Sequence, residues 1–368
     1  MHINKKVLPW CIARTLGLAA FILVTSCAPV TRGPGIDQAE ALKEAEKQRE
    51  FAVKEYVRIE KRLKHVAWGI QRNATFLCED HIKKRAGLNL TTKGRVTEHL
   101  RPTYEKLFQI VEDRPTVLYP LPGSPAEKAG LRSGDIVTQI NGAPLSRGSD
   151  GIENVMQVIE KAGRIIPLEV QRKKEKKTLT LAPRSICAYP AYLAHDEAVN
   201  AFADGERIIV TMGMMRFVES DDELALIIGH ELAHNTMSHI QKKQGNILAG
   251  RVVGAVVDVF LGGTGIFAQL GESVGGGLYS QDFESEADYI GVYYAAAAGY
   301  NVKNAAHLWR RMAASNPAAI HLRGSTHPST AKRFLAIGAT ADEVADKAAK
   351  GLPLVPSLGE KSTVEQVP

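Results

Sequence analysis

The sequence predicts an α+β protein: a mainly helical core with a small antiparallel sheet, into which a second, β-rich unit is inserted. Three observations carry this expectation. The segment beginning SDDE at Ser220 has a capping box, Ser220 at the N-cap and Glu223 reaching back. The residues that follow are apolar almost all round, as in a buried helix. A second helical pattern, QDFESEADYIGVYYAAAAGY, runs over 281–300 and stops at Gly299. Between 122 and 181 the pattern changes to short alternating runs separated by Gly, Pro and Asn-Gly, which are strand and turn signals.

Composition fits a globular chain of 368 residues, 45% hydrophobic and 23% charged, long enough for two modest domains with tails. The formal charge is +6. Three of the cations, Lys5, Lys6 and Arg14, precede the apolar run TLGLAAFILV, and residues 1–26 together read as a signal peptide. Their removal leaves +3, too little for a nucleic-acid partner. The run is too short for a membrane-spanning helix. VTSC follows it and resembles a bacterial lipobox. That resemblance implies acylation at Cys27 and, with Ala28 after it, the periplasmic face of the cell outer membrane, anchored through lipid.

Of the four cysteines, Cys11 goes with the signal and Cys27 takes the lipid. Cys78 and Cys187 remain, and in an exported chain they suggest one disulfide. Residues 27–65 read as anchor and charged helical linker, dense in Glu, Lys and Arg and largely solvated. Residues 66–78 are expected to be a strand rejoining the core, so that a bridge from Cys78 to Cys187 staples the inserted unit, 79–186, at its base.

The segment PGSPAEKAGLRSGDIVTQINGAPL, 122–145, resembles the PDZ domains of bacterial exported proteases. The local chemistry agrees. Ser124-Pro125 starts a short helix that Gly130 ends, IVTQI alternates as a strand, and Asn141-Gly142 marks a hairpin. Residues 152–162 suit a helix, and IPLEVQRKKEKKTLTLAP suits two strands about a charged tip. PDZ domains add an extended peptide to a sheet edge, with an apolar-Gly-apolar loop for its carboxylate. AWGI, 67–70, is a candidate for that loop, and a PDZ that only packs against its neighbour stays open as an alternative.

The remaining core, 187–351, holds the chemistry. On the capped helix, His230 and His234 lie one turn apart on one face with Glu231 beside them. This is H-E-x-x-H, two imidazoles for zinc and a glutamate to activate water. His239, nine residues past His230, falls on the opposite face of the helix, which excludes it as third ligand, and is expected to be exposed or satisfied in the core. The third ligand is expected from the second helix, where Glu284 can complete the set and Asp288, one turn on, can accept the free N–H of a ligand histidine. Glu286 points away and is expected at the surface.

DDELALIIGHELAHNTMSH, SQDFESEADYIG and STHPSTAKR, in this order, resemble the HtpX/CAAX-prenyl-protease family of zinc metallopeptidases, a gluzincin family, and its periplasmic lipoprotein branch (BepA- and LoiP-like). The resemblance covers roughly 188–340. It implies one Zn2+ on His230, His234 and Glu284, Glu231 as general base, and Asp288 behind the ligands. It further implies an edge strand at Asn200, Ala201, Phe202 and Ala203 that pairs with substrate, and an approach of His327 and Arg333 to the metal. His327 is then an oxyanion donor or a latch on the open metal position; read without the resemblance, the pair is a helix cap and a surface arginine.

His195, His307 and His321 have no motif around them and are expected to be structural. The Gly-rich 245–277 segment reads as a helical hairpin or lid, with shallow membrane contact as the minority reading. The tail, 352–368, is expected to be disordered. The functional expectation is a metalloendopeptidase acting on misfolded or misassembled envelope polypeptides. A chaperone-like or adaptor lipoprotein with a latched zinc site is the rival.

Overall fold

The computed structural model describes residues 34–78, 81–245, 247–248, 280–315 and 331–358. Cys27, His321 and His327 lie outside these, as do nearly all of 245–277 and the tail from 359. From Arg49 onward the chain forms one compact unit, and the residues through Gln48 form another. Of that earlier unit the described part is largely exposed.

The first helix, α1 (Gln38–Asn73), does not stop at the expected boundary. Residues 66–78 are not a strand: α1 runs on to Asn73, and a 3-10 turn follows at Thr75–Leu77. The reason is periodicity. Ile59, Leu63, Val66, Ala67 and Ile70 recur at spacings of three and four, share one face, and are buried in one core. No proline interrupts them, and Gly69 fits a close approach, since a Cβ there would come within 3.2 Å of the Tyr300 hydroxyl. The second half of α1 is therefore a buried strut, and only its first turns are the solvated linker that charge density suggested. AWGI lies inside this helix and cannot be a carboxylate loop.

The inserted unit follows. It contains β1 (Ile82–Arg85), β2 (Leu88–Thr91), α2 (Arg101–Phe108), β3 (Thr116–Pro120), α3 (Pro125–Lys128), β4 (Ile136–Ile140), β5 (Ala143–Pro144), α4 (Gly148–Lys161), β6 (Ile166–Arg172), β7 (Glu175–Leu181) and β8 (Arg184–Cys187). Its antiparallel sheet has the order β2-β3-β4-β6-β7, with β5 on β4. Asn141 and Gly142 both take positive φ, 51° and 79°, as a tight hairpin turn requires. Ser124 caps α3, its Oγ accepting the Glu127 N–H. The apolar face of α4, Ile152, Val155 and Ile159, packs on Val117, Val137, Leu168 and Val170.

Chain entrance and exit are joined twice. β1 pairs with β8, Ile82 facing Cys187, and Cys78 is bonded to Cys187 across a separation of 109 residues. The strut α1 forms a third tie: Val57 and Trp68 pack against Leu118, Leu121 and Ile186, and the Tyr119 hydroxyl donates to Glu60 at 2.6 Å.

The second half holds β9 (Ala191–Ala194), β10 (Ala201–Ala203), β11 (Ile208–Thr211), α5 (Met212–Phe217), α6 (Asp221–Thr236), α7 (Ser280–Ala297), α8 (Ala305–Ser315) and α9 (Ala331–Ala349). The small sheet has the order β10-β11-β9; β10 is antiparallel to β11 and β9 parallel. Ser220 caps α6 by accepting the Glu223 N–H at 3.2 Å, and Glu223 accepts the Glu219 N–H at 2.7 Å. Every residue of α6 from Leu224 to Asn235 is buried. The helix crosses α7 with glycine against glycine: a Cβ on Gly229 would lie 2.5 Å from the Gly291 carbonyl oxygen, and one on Gly291 2.7 Å from the His230 nitrogen. Gly299, φ 88°, ends the α7 segment in the left-handed region.

Residues 352–358 do not hang free. Leu354 packs on the core, Lys347 donates to the Val355 carbonyl, and the Ser357 N–H donates to the Tyr289 hydroxyl. Tail composition is polar, yet Leu354 and Pro356 give it apolar surface to bury. Among the described residues no helix is long and apolar enough to cross a membrane.

Candidate metal centre

Two helices build the centre. α6 carries His230 and His234 one turn apart, and the Gly229–Gly291 contact lets α7 approach until Glu284 meets both. His230 Nε2 and His234 Nε2 are 3.1 Å apart, and the Glu284 carboxylate oxygens lie 3.5 Å from the first and 3.3 Å from the second. Tetrahedral zinc with ligand bonds of ~2.0–2.1 Å has its donors about 3.3 Å from one another, so the three side chains fit the ion. All three are buried.

Charge agrees with the distances. Burial works against a charged His230, yet the Asp288 and Glu284 carboxylates beside it outweigh burial and push its pKa up to about 10. A pocket that draws positive charge so strongly onto an imidazole suits a divalent cation. His234 moves the other way, its pKa lowered by burial against the Glu284 contact.

Behind His230 stands a fully engaged carboxylate. Asp288 Oδ1 is 3.0 Å from His230 Nδ1 and also accepts from Trp309 Nε1 at 3.0 Å. Arg333 closes on it with Nε to Oδ2 at 2.7 Å and a terminal nitrogen to Oδ1 at 2.8 Å, while its other terminal nitrogen lies 3.0 Å from Glu284. Although burial alone would raise the Asp288 pKa, the His230 and Arg333 contacts hold it below the ordinary aspartate value. Arg333 is 5% exposed, so it is not a surface arginine. Its geometry is that of a clamp on Asp288 and Glu284.

His239 is satisfied in the core, as one expectation had it, but it does not lie on the opposite face. α6 ends at Thr236, and Ser238 takes φ 55°, turning the chain before a further helical stretch at 239–245. The half-turn displacement assumed an unbroken helix. With the break, His239 swings back behind the metal ligand: its Nδ1 is 3.0 Å from His234 Nδ1, and its ring stacks on Phe283 at 4.6 Å. Its Nε2 is 2.8 Å from Glu286. That contact lowers the Glu286 pKa. Glu286 therefore takes part in the site at second hand. The available signal was Asn235, Thr236 and Ser238, weak helix formers that stand where the helix gives way.

Facing the donors, Asn200, Ala201, Met214 and Ile227 line a small cleft with His230, Glu231 and Arg333. β10 is the outer strand of its sheet there, with Phe202 39% exposed. Asn235 ties this hairpin to α6, its side chain accepting the Gly205 N–H at 2.8 Å and donating to the Arg207 carbonyl at 3.0 Å. Asn235 was not foreseen as part of the site. Elsewhere, His195 stacks on Tyr56 at 4.8 Å, away from the donors.

The inserted unit supplies the loop that AWGI does not. Between β1 and β2, Arg85-Ala86-Gly87-Leu88 is an apolar-Gly-apolar turn with Gly87 at φ 66°. The Ala86 and Gly87 carbonyls accept from the Ala126 and Leu121 N–H groups at 2.9 and 2.8 Å. Across trans peptides, the N–H groups of Gly87 and Leu88 then point the opposite way, together, as in an anion-binding nest.

Comparison with known proteins accords with this geometry. Residues 170–341 match the model of peptidase family M48, and residues 116–172 match a PDZ domain model. The chain is 30% identical over 166 residues to the mitochondrial metalloendopeptidase OMA1 of Schizosaccharomyces pombe, covering 43% of this chain and 48% of that protein. Its namesake in Arabidopsis thaliana is 27% identical over 174 residues, 45% of this chain and 34% of the other. The beta-barrel assembly-enhancing protease of Yersinia pestis is 26% identical over 122 residues, 30% and 25% respectively. The chain thus spans half or less of the length of these curated relatives. Residues 170–341 are similar to peptidase family M48, and residues 116–172 to a PDZ domain.

Proposed function

We propose that the protein is a zinc-dependent endopeptidase of the bacterial envelope that hydrolyses peptide bonds of misfolded or misassembled envelope polypeptides. The observation that carries the catalytic part is the convergence of His230, His234 and Glu284 within one ion's reach, with Glu231 on the same turn of α6. What zinc supplies when bound is Lewis acidity toward a carbonyl and toward water.

The chain's own residues do the rest. An extended substrate adds to β10, where Asn200 and Ala201 bring its backbone past the donors. Glu231 takes a proton from the attacking water and delivers it to the leaving amine nitrogen. Asp288 and Arg333 keep His230 and Glu284 in register, and His239 does the same for His234.

The envelope setting rests on the signal-like 1–26 segment and Cys27, which would hold the protein on the periplasmic face of the outer membrane through lipid. The nature of the clients rests on that setting and on the printed name of the Yersinia pestis relative. The nest at Gly87 supports a PDZ that docks clients. No nucleic-acid partner is proposed.

The test compares wild type with Glu231→Gln on an unfolded protein substrate, with and without chelator. Wild type should cleave, lose activity to chelator and regain it with Zn2+. The variant should retain zinc and lose on the order of 10²–10⁴ in rate. Equal cleavage by both, or none by the zinc-loaded wild type, would overturn the proposal.

A further inference from the structure

A groove of about 410 Å³ runs along the PDZ unit, and only one of its walls belongs to that unit. On the first side are β2, through Leu88 and Leu90, and α4, through Ile152, Met156 and Ile159. At one end lies the Ala86-Gly87-Leu88 turn. The other wall comes from the peptidase half: Trp68 and Gln71 on the buried part of α1, and Pro190, Ala191 and Tyr192 at β9. Of the charged side chains that line it, Lys64 is paired with Glu60 at 2.8 Å and Arg85 with Glu160 at 2.9 Å, and the third is Arg95.

This arrangement changes what an occupant meets. A peptide added to β2 turns successive side chains to opposite sides. Alternate side chains from the last residue inward face α4. The side chains between them, which in an isolated PDZ unit would look into water, look here at Trp68 and Tyr192. Tyr192 is 48% exposed and has surface to lose, whereas Trp68 is 4% exposed and fixed in the packing between α1 and the PDZ unit. β2 and β9 are each the last strand of their own sheet, so an extended segment fits between two sheet edges.

With a client's C-terminal end docked in this groove as a PDZ domain takes it, we propose that Tyr192, a residue of the peptidase half, selects a bulky apolar side chain at the penultimate position. The proposal rests on client docking by the PDZ unit but not on cleavage. The terminal carboxylate sits against the Gly87 and Leu88 N–H groups. The last side chain enters between Leu88 and α4, and the penultimate one packs on Tyr192. Specificity is then written jointly by two parts of the chain, and Cys78–Cys187 holds their separation fixed.

The test uses the full chain with Glu231→Gln, so that nothing is cut. Fluorescein-labelled decapeptides of a Gly-Ser sequence are titrated by anisotropy. The last residue is varied over Ala, Val, Leu and Phe, and the penultimate residue is Gly or Trp. Wild-type binding surfaces should favour penultimate Trp by about tenfold, and Tyr192→Ala should erase that preference while leaving the Gly series unchanged. C-terminal amidation should weaken every peptide. Equal binding of the Gly and Trp series, or a preference that survives Tyr192→Ala, overturns the inference and leaves carboxylate docking intact. Binding indifferent to amidation overturns the assigned occupant. No binding across the panel removes both the docking reading and the inference.

Discussion

At the scale of single residues, the centre is asymmetric in a way that invites measurement. His230 is backed by Asp288, which Trp309 and Arg333 pin in place. His234 is backed by another imidazole, His239, oriented by the half-exposed Glu286. Partners of this kind fix the ring and tautomer of a ligand histidine, and their loss weakens metal binding by ~10–100-fold. His239→Ala should therefore lower zinc affinity by about that factor, read by competition with a chromophoric chelator, while far-UV circular dichroism stays unchanged. Glu286→Gln, which keeps a hydrogen-bonding group, should cost less. Unaltered zinc affinity in His239→Ala would sink the idea that this histidine positions His234. The ligands themselves were legible because a four-residue spacing on a helix fixes a shared face. His239 was not, because its place depends on one residue, Ser238, adopting a conformation that spacing rules assume away.

Among elements, the approach of α6 to α7 sets the donor distances. Two glycines stand at the crossing, with Gly291 against the backbone of His230. A methyl group there meets backbone, which cannot rotate aside, so the helices must separate. Gly291→Ala should cost about 1–3 kcal/mol in stability and reduce zinc retention, measured by thermal unfolding and by metal analysis after dialysis. Unchanged zinc content would show that the centre tolerates a wider crossing. The two helices were foreseeable from capping and periodicity, but their separation was not, since nothing in a single pattern says which glycine meets which. The same blindness misplaced α1: charge density along its first turns hid an apolar stripe that continued past residue 64 into a core.

For the molecule as a whole, the PDZ unit is tied to the peptidase half by the β1–β8 ladder, by α1 and by the disulfide. Its insertion between Cys78 and Cys187 could be read from cysteine count and strand patterning. Its groove could not, because one wall comes from residues distant in sequence. A bridge closing a loop of this length contributes up to ~4–5 kcal/mol through the unfolded chain. Replacing both cysteines by alanine should lower the unfolding midpoint accordingly. An unchanged midpoint would mean that α1 and the β1–β8 ladder suffice.

The three-stranded sheet also sets a length. β9 borders the groove and β10 borders the metal cleft, two interstrand spacings apart, or roughly 10 Å. A client held by its end in the groove turns attack on its upstream segment into an intramolecular encounter, with a local concentration on the order of millimolar for a short flexible span. Tethering of this sort acts on how little client is needed rather than on how fast a bond breaks, and it rewards chains whose scissile segment lies within a loop's length of the terminus.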